Sequence, residues 1–350
     1  MKHFLTAALG VALLAPASFA QQLVFDSFNR PDSSDLGFDW AEQNGDFVIQ
    51  NNFGKGNVPF ANDTWMNHTA FGQPYESSKV RMEFARDSAD FFFGAGLVLG
   101  LDPNTWSGVA VLVQDNDLDG LFDRIFFHAA INAGAWFSSP TPILYDFPTP
   151  IDAGQLTVWV QDSGDLAVAR VEDTAGNLIG TYSAQGIVGT PFAPTGVRAG
   201  VWVRSRPFIN DFYALERRAL DAYPKSISVA SGGEQTLDIT LESARANDVY
   251  FLLASLTAAD PGTPIGGGIN LPLVIDPLLL WTLTSPNTAP YANTFGTLDA
   301  VGHARARVTL APAAVPALVG IDIHQAAIAL DPVTFTPTAA TNSAVLSLEI

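Results

Sequence analysis

An all-β fold of two successive β-sandwiches, the second smaller than the first, is predicted for this 350-residue chain by three observations. Short runs of alternating apolar residues recur along it, separated by clusters of Gly, Pro, Asn and Asp. Alternate residues of a strand share a face, so the runs read as half-buried strands and the separators as turns. No segment sustains the 3.6-residue apolar stripe of an amphipathic helix. The composition changes between residues 219 and 225, from a stretch rich in Phe, Trp and Asp to one dominated by Ala, Leu, Pro and Thr. Two units follow, at about 21–220 and about 224–350, each of ordinary domain size and with no repeat visible between them.

Residues 1–20 have the order of a secretory signal peptide. Lys2 and His3 make a positive start, residues 4–14 are an apolar run too short to span a bilayer, and Ser18, Phe19 and Ala20 supply a cleavage site after Ala20. The expectation is an exported protein, periplasmic, extracellular or on the cell surface. No later run is long enough for a transmembrane helix.

Val109, Val111 and Val113 alternate into a polar loop, and Ile125, Phe127 and Ala129 alternate out of it, which predicts a β-hairpin. Leu156, Val158 and Val160 repeat the pattern, as do Val197, Ala199, Val201 and Val203. Residues 212–223 offer a weak short helix. In the second unit, strands are predicted around Leu237, Ile239 and Leu241, over 250–256, 304–310 and 321–330, and at Leu346, Leu348 and Ile350. The last makes the tail a paired strand.

The hairpin loop, residues 115–123, reads Asp-Asn-Asp-Leu-Asp-Gly-Leu-Phe-Asp. Asp115, Asp117, Asp119 and Asp123 take positions 1, 3, 5 and 9 of a calcium-type loop, and Gly120 takes position 6, where the backbone must turn sharply. Leu121 would contribute its backbone carbonyl, and Asp102 is a candidate to complete the shell. Phe126 stands where a full EF-hand places a bidentate Glu, and Asp, Asn and Gly are also the commonest turn residues. The sequence therefore leaves two readings, a Ca2+ site and a solvated acidic turn.

Acidic residues outnumber basic ones 35 to 17, and the net charge is −18. Lysine is scarce and no basic stretch exists, which argues against nucleic acid and anionic membranes as partners. The absence of cysteine excludes disulfides, thiolate metal sites and a cysteine nucleophile.

Asp26, Phe28, Arg30, Leu36, Gly37, Trp40 and a strand opening at Gly45, with Gly200, Trp202 and then Asn210, Asp211 and Phe212 near the end, make the first unit resemble secreted bacterial laminin-G-like domains of the concanavalin A-like lectin/glucanase superfamily. The resemblance implies a jelly roll of two antiparallel sheets; many relatives bind carbohydrate or protein at a loop rim, sometimes through calcium, and some are glycoside hydrolases. Residues 250–255, Pro261, Gly262, 271–273, Asp276, Pro286, Asn287 and 296–302 resemble a C-terminal β-sandwich module of exported bacterial proteins, which implies an accessory role in attachment, spacing or stability.

The glucanase branch would carry Glu-x-Asp-x-x-Glu on one strand, gathering nucleophile and acid/base on one face. No such sequence occurs; Glu83 with Asp87, and Glu216 with Asp221, come nearest and neither spacing fits. A Gly-x-Ser-x-Gly elbow and a phosphate loop are also absent, and His68, His128, His303 and His324 match no metal-binding spacing. Trp65, Trp106 and Trp136 lie near predicted turns and are candidates for stacking on sugar rings, with buried packing as the competing reading. Trp40, Trp159 and Trp202 sit in strand patterns and are expected in cores.

The function expected is a non-catalytic, exported protein whose N-terminal jelly roll binds a glycan or polysaccharide, with Ca2+ as the candidate cofactor. A structural or adhesive surface protein that holds protein or matrix, stapled by calcium, is the second expectation. A glycoside hydrolase with a site assembled from distant acids is the third.

Overall fold

The computed structural model describes residues 24–37, 39–44, 46–57, 63–68, 78–87, 93–102, 108–130, 143–161, 166–185, 198–216, 218–312 and 316–350. Within them the chain is almost entirely strand and builds two β-sandwiches in tandem. The proposed signal segment lies outside the described residues. No helix among the described residues is long and apolar enough to cross a membrane.

The first sandwich pairs two large antiparallel sheets. Sheet I runs, strand by strand, Leu178–Gln185, Leu166–Asp173, Ala153–Gln161, Ser78–Ala85, Phe208–Glu216, Phe53–Gly56, Phe47–Gln50, with Val24–Asp26 also on Phe208–Glu216. Sheet II runs Ile143–Ile151, Phe122–Ala130, Gly108–Gln114, Gly94–Leu101, Arg198–Arg204, Asp63–His68, Trp40–Asn44. Neighbours such as Ser78–Ala85 and Phe208–Glu216 are far apart in sequence, which is the crossing connectivity of a jelly roll. Alternation sets the core. Val80, Met82 and Phe84 of sheet I face Val109, Val111 and Val113 of sheet II in one buried cluster. There Phe122 meets both Phe84 and Phe93 edge-to-face at 4.7 Å. Each such ring contributes about 1.5–3 kcal/mol by leaving water.

Asp26, Phe28, Arg30, Trp40 and Phe212, which helped carry the laminin-G-like resemblance, are structural staples. Asp26 accepts from Arg30 Nη1 at 2.6 Å, Arg30 Nη2 at 3.0 Å and Trp40 Nε1 at 2.7 Å, while Phe28 and Phe212 pack on the Trp40 ring. Burial alone would raise the Asp26 carboxyl; the hydrogen bonds from Arg30 and Trp40 outweigh it and hold the group below its ordinary value.

Sheet III of the second sandwich is Leu220–Tyr223, Gly233–Thr240, His303–Leu310, Tyr291–Ala292; sheet IV is Ser226–Ser228, Ala344–Glu349, Asp322–Leu330, Val249–Ser255, Phe295–Thr297, with Pro337–Ala340 on Asp322–Leu330. Leu237, Ile239, Ala306, Leu252 and Leu346 close its core. Leu346 and Leu348 lie on a paired strand, Ala344–Glu349, antiparallel to Asp322–Leu330 and parallel to Ser226–Ser228, while Ile350 falls outside it and is exposed.

Two local readings change. The described residues of 212–223 form no helix: 212–216 end the strand Phe208–Glu216 and 220–223 are the strand Leu220–Tyr223, because Phe212, Ala214 and Leu220 are needed on the inward faces of two different sheets. Among the described residues the α-helix is instead Pro277–Thr284, which the period alone does not reveal. Its signal is terminal: Asp276 caps Leu279 N at 2.8 Å and Pro277 opens the first turn. The other Asp276 oxygen accepts from Ser255 Oγ, Leu256 N, Thr257 N and Thr257 Oγ1, fastening helix to strand.

The sandwiches meet through faces that point away from their own cores. On sheet I, the register aligns Lys79 with Trp159 and Val168, Arg81 with Tyr213 and Thr157, and Glu83 with Asn210 and Gln155. On sheet III it aligns Asp238 with Asp221 and Arg305, and Thr236 with Tyr223 and Arg307. Between these rows lies an ionic network. Lys79 Nζ reaches Asp238 at 2.8 Å and Asp221 at 3.4 Å; Arg305 binds Asp238 at 2.7 Å and also Glu172, which takes Arg170 at 3.1 Å. At one end the seam is apolar, with Trp159, Leu166 and Val168 packed on Val301, and Gln161 Nε2 donating to the Val301 carbonyl at 2.8 Å. At the other end it opens into a cleft.

Candidate functional site

The 115–123 loop is the tip of the hairpin joining Gly108–Gln114 to Phe122–Ala130, as its flanking alternation predicts. Asp115 is fully buried and turns the backbone inward: its Oδ1 accepts from Leu118 N at 2.8 Å and its Oδ2 from Gly120 N at 3.1 Å. Asp117 accepts from Asp119 N, Asp119 from Leu121 N, and Asp123 from Asn116 N. Leu118 and Gly120 take positive φ of 67° and 86°, the second at the position where a calcium loop places glycine. Arg86 Nη1 donates to the Gly120 carbonyl at 2.9 Å.

Asp115, Asp117 and Asp119 each bring a carboxylate oxygen within 4.8 Å of the others, and Asp117 and Asp119 are exposed. Asp123 stands outside that trio. Burial, then the charges of Asp117 and Asp115, push its carboxyl above its ordinary value. The donor set is all oxygen, and every carboxylate keeps lone pairs beyond its loop bonds, so the trio suits a hard divalent cation.

The predicted aromatic platform of Trp65, Trp106 and Trp136 lies mostly outside the described residues. Trp106 and Trp136 lie outside them. Trp65 lies on Asp63–His68, opposite Trp202 in the register. Trp40 belongs to the main core. Trp159 and Trp202 are fully buried, but each faces away from it: Trp159 into the seam, Trp202 into a cluster with Val98, Ala110 and Leu112 on the far side of sheet II.

The open end of the seam is the larger feature, a cavity of about 450 Å³. Its wall from sheet I combines half-buried Phe53 and Phe208, whose rings lie 5.3 Å apart, with Arg81, Glu83 and Asn210. Its wall from the second sandwich carries Tyr223, Glu234 and Arg307. The Arg81 guanidinium lies over two rings, 4.9 Å from the centre of Tyr213 and 5.0 Å from that of Tyr223, whose hydroxyls are 2.8 Å apart. Burial, then the nearby charge of Asp211, pushes the Glu83 carboxyl upward, and burial does the same to Asp211. Arg81 Nε and Asn210 Oδ1 are buried without a hydrogen-bond partner.

Sequence reading missed this cleft because its walls come from strands scattered between Phe53 and Arg307, with Arg81 and Glu83 more than a hundred residues from Tyr223, Glu234 and Arg307. The one local hint was the alternation of Lys79, Arg81 and Glu83 with Val80, Met82 and Phe84, which by itself describes any strand with a wet face.

No protein-family model matches the chain, and neither does any curated protein. Among solved structures, the carbohydrate-binding module CBM66 from Bacillus subtilis aligns over 51% of this chain and 95% of its own length, with 14% identity and a TM-score of 0.37. The CBM2 module of the evolved Dit of Lactobacillus casei BL23 phage J-1 aligns over 56% and 96%, with 12% identity and a TM-score of 0.40. Lectin II from Ulex europaeus aligns over 56% and 98%, with 10% identity and a TM-score of 0.37. Likeness this remote says nothing about the ligand of this chain, whose architecture rests on its own sheet order and register.

Proposed function

We propose that this is an exported, non-catalytic carbohydrate-binding protein in which sheet I of the first sandwich presents the recognition surface. The observation that carries the reading is the cleft wall, where half-buried aromatic rings stand beside guanidinium, carboxylate and amide groups. Sugars offer apolar C–H faces and a dense ring of hydroxyls, so a site for them needs both flat apolar surface and convergent donors and acceptors. The order of features in residues 1–20 supports export.

The 115–123 loop, in the same proposal, takes Ca2+ through Asp115, Asp117 and Asp119, with the Leu121 carbonyl and Asp123 as further ligands. Its oxygen-only donor set and the left-handed Gly120 support this. The test is a glycan and polysaccharide array probed with the purified protein in calcium and again in EDTA. Saccharide binding in either buffer is the expected result. Its absence in both, with a protein from the cell envelope retained instead, would overturn the carbohydrate reading in favour of adhesion.

A further inference from the structure

The cleft does not end at Asn210. A second hollow of about 260 Å³ lies beside it and shares Phe53 and Asn210 as common wall. The rest of its lining is Ser27, Asn29, Asn51, Asn52 and Asp211. Between the two hollows sheet I is irregular. The register of Phe208–Glu216 on Ser78–Ala85 slips between Asn210 and Tyr213, so Asp211 and Phe212 together oppose Met82, and Asp211 takes φ 45°. Such a bulge re-aims the side chains around it and costs backbone strain that a plain strand avoids.

We infer that the two hollows form one groove for a chain of uncharged sugars, with at least two subsites and with the second sandwich supplying one wall of the inner one. The inference rests on the carbohydrate reading and specifies it. Three features select the ligand. Amide and hydroxyl groups dominate the outer hollow, which suits neutral hydroxyls. In the inner hollow the second sandwich's arginines are already neutralised, Arg305 by Glu172 and Asp238 and Arg307 by Glu234, so they leave little net attraction for an anion. The whole chain carries a net charge of −18, which repels acidic polysaccharides. The shared wall of Phe53 and Asn210 gives one ring and one amide at the junction, where adjacent sugars of a chain would meet.

Asn51 and Asn52 have a competing structural role. With φ of 56° and 67° they form the tight turn between Phe47–Gln50 and Phe53–Gly56, where Asn is favoured for its backbone alone. Asn52→Gly separates the two roles, because glycine keeps the left-handed turn and removes the amide. The probes are ladders of glucose-, xylose-, mannose- and galactose-based oligosaccharides from monosaccharide to polymer, with oligogalacturonate as the charged control, titrated calorimetrically into the full chain. At least one neutral ladder should bind more tightly as it lengthens. Asn52→Gly combined with Asn29→Ala should weaken its longer members about tenfold, the loss of one or two hydrogen bonds, and spare the shortest binding member. The proposal is overturned, with the carbohydrate reading intact, if affinity is independent of length, if oligogalacturonate binds best, or if the double variant binds every member like wild type. Release of shortened products from a ladder would overturn the non-catalytic reading. No binding of any ladder or control overturns both.

Discussion

The hairpin tip at 115–123 and the seam between the sandwiches both gather carboxylates, and they neutralise them by different means. In the tip, each acid accepts from a backbone N–H a few residues away, so the loop is satisfied by its own chain. In the seam, Asp238 and Glu172 each take a cation from the other sandwich, Lys79 and Arg305, besides one from their own, Arg305 and Arg170, and Lys79 and Asp238 are separated by 159 residues. The difference teaches that a locally satisfied acidic site is cheap to build and easy to lose, whereas a long-range one ties the fold together and fails badly when one member is removed.

The largest expected effect is in the seam. Asp238→Ala leaves Lys79 and Arg305 with their principal partner gone in a buried setting, and should cost about 3–5 kcal/mol, read as a lowered midpoint of urea unfolding. A loss below about 1 kcal/mol would mean that water already screens the seam as it does a surface pair.

Acid should separate the two regions next. Burial alone would raise Asp238, but Arg305 and Lys79 hold its carboxyl well below the ordinary value of 3.8. The unfolded chain therefore takes up that proton first, and the stability Asp238 gives at neutral pH is lost as pH falls below 3.8. His303, kept neutral by burial although Asp238 pulls the other way, adds a loss that begins as pH falls through 6.5. Asp123 has the opposite sign: its carboxyl is raised, so the folded chain takes up the proton first and acid relieves the loop. Melting temperatures of wild type and Asp238→Asn across this range should converge as pH falls. Curves that stay parallel would show that the seam does not set the acid response.

In the loop the effects are smaller. Asp115→Ala strands the N–H groups of Leu118 and Gly120 and should cost about 1–3 kcal/mol even in EDTA. Asp117→Ala, at an exposed position, should leave the EDTA melting temperature unchanged and remove any rise caused by calcium. If calcium does not raise the wild-type melting temperature, the loop is a turn and nothing more.

The same contrast explains what was legible in the sequence. Val109, Val111 and Val113 declared their strand because alternation is a local pattern, and the 115–123 loop declared its turn because Asp and Gly act on their own backbone. Asp276 and Pro277 also carried a local signal, which a search for helical period overlooks in a helix of eight residues. The seam and the groove were illegible for the opposite reason. Arg81 and Glu83 read as the solvated face of a strand, and only the tertiary arrangement sets Tyr223, Glu234 and Arg307 across from them. Trp159 looked like a core residue and is buried, yet its partner Val301 belongs to the other sandwich.

The most direct test of the account measures the affinity of one neutral oligosaccharide, the tightest binder of its ladder, for wild type, Asp117→Ala and Asn52→Gly, in calcium and in EDTA. The account predicts binding that survives EDTA and Asp117→Ala and weakens in Asn52→Gly. Binding that collapses in EDTA and in Asp117→Ala, while Asn52→Gly matches wild type, would contradict it and move the recognition site from the groove to the hairpin loop.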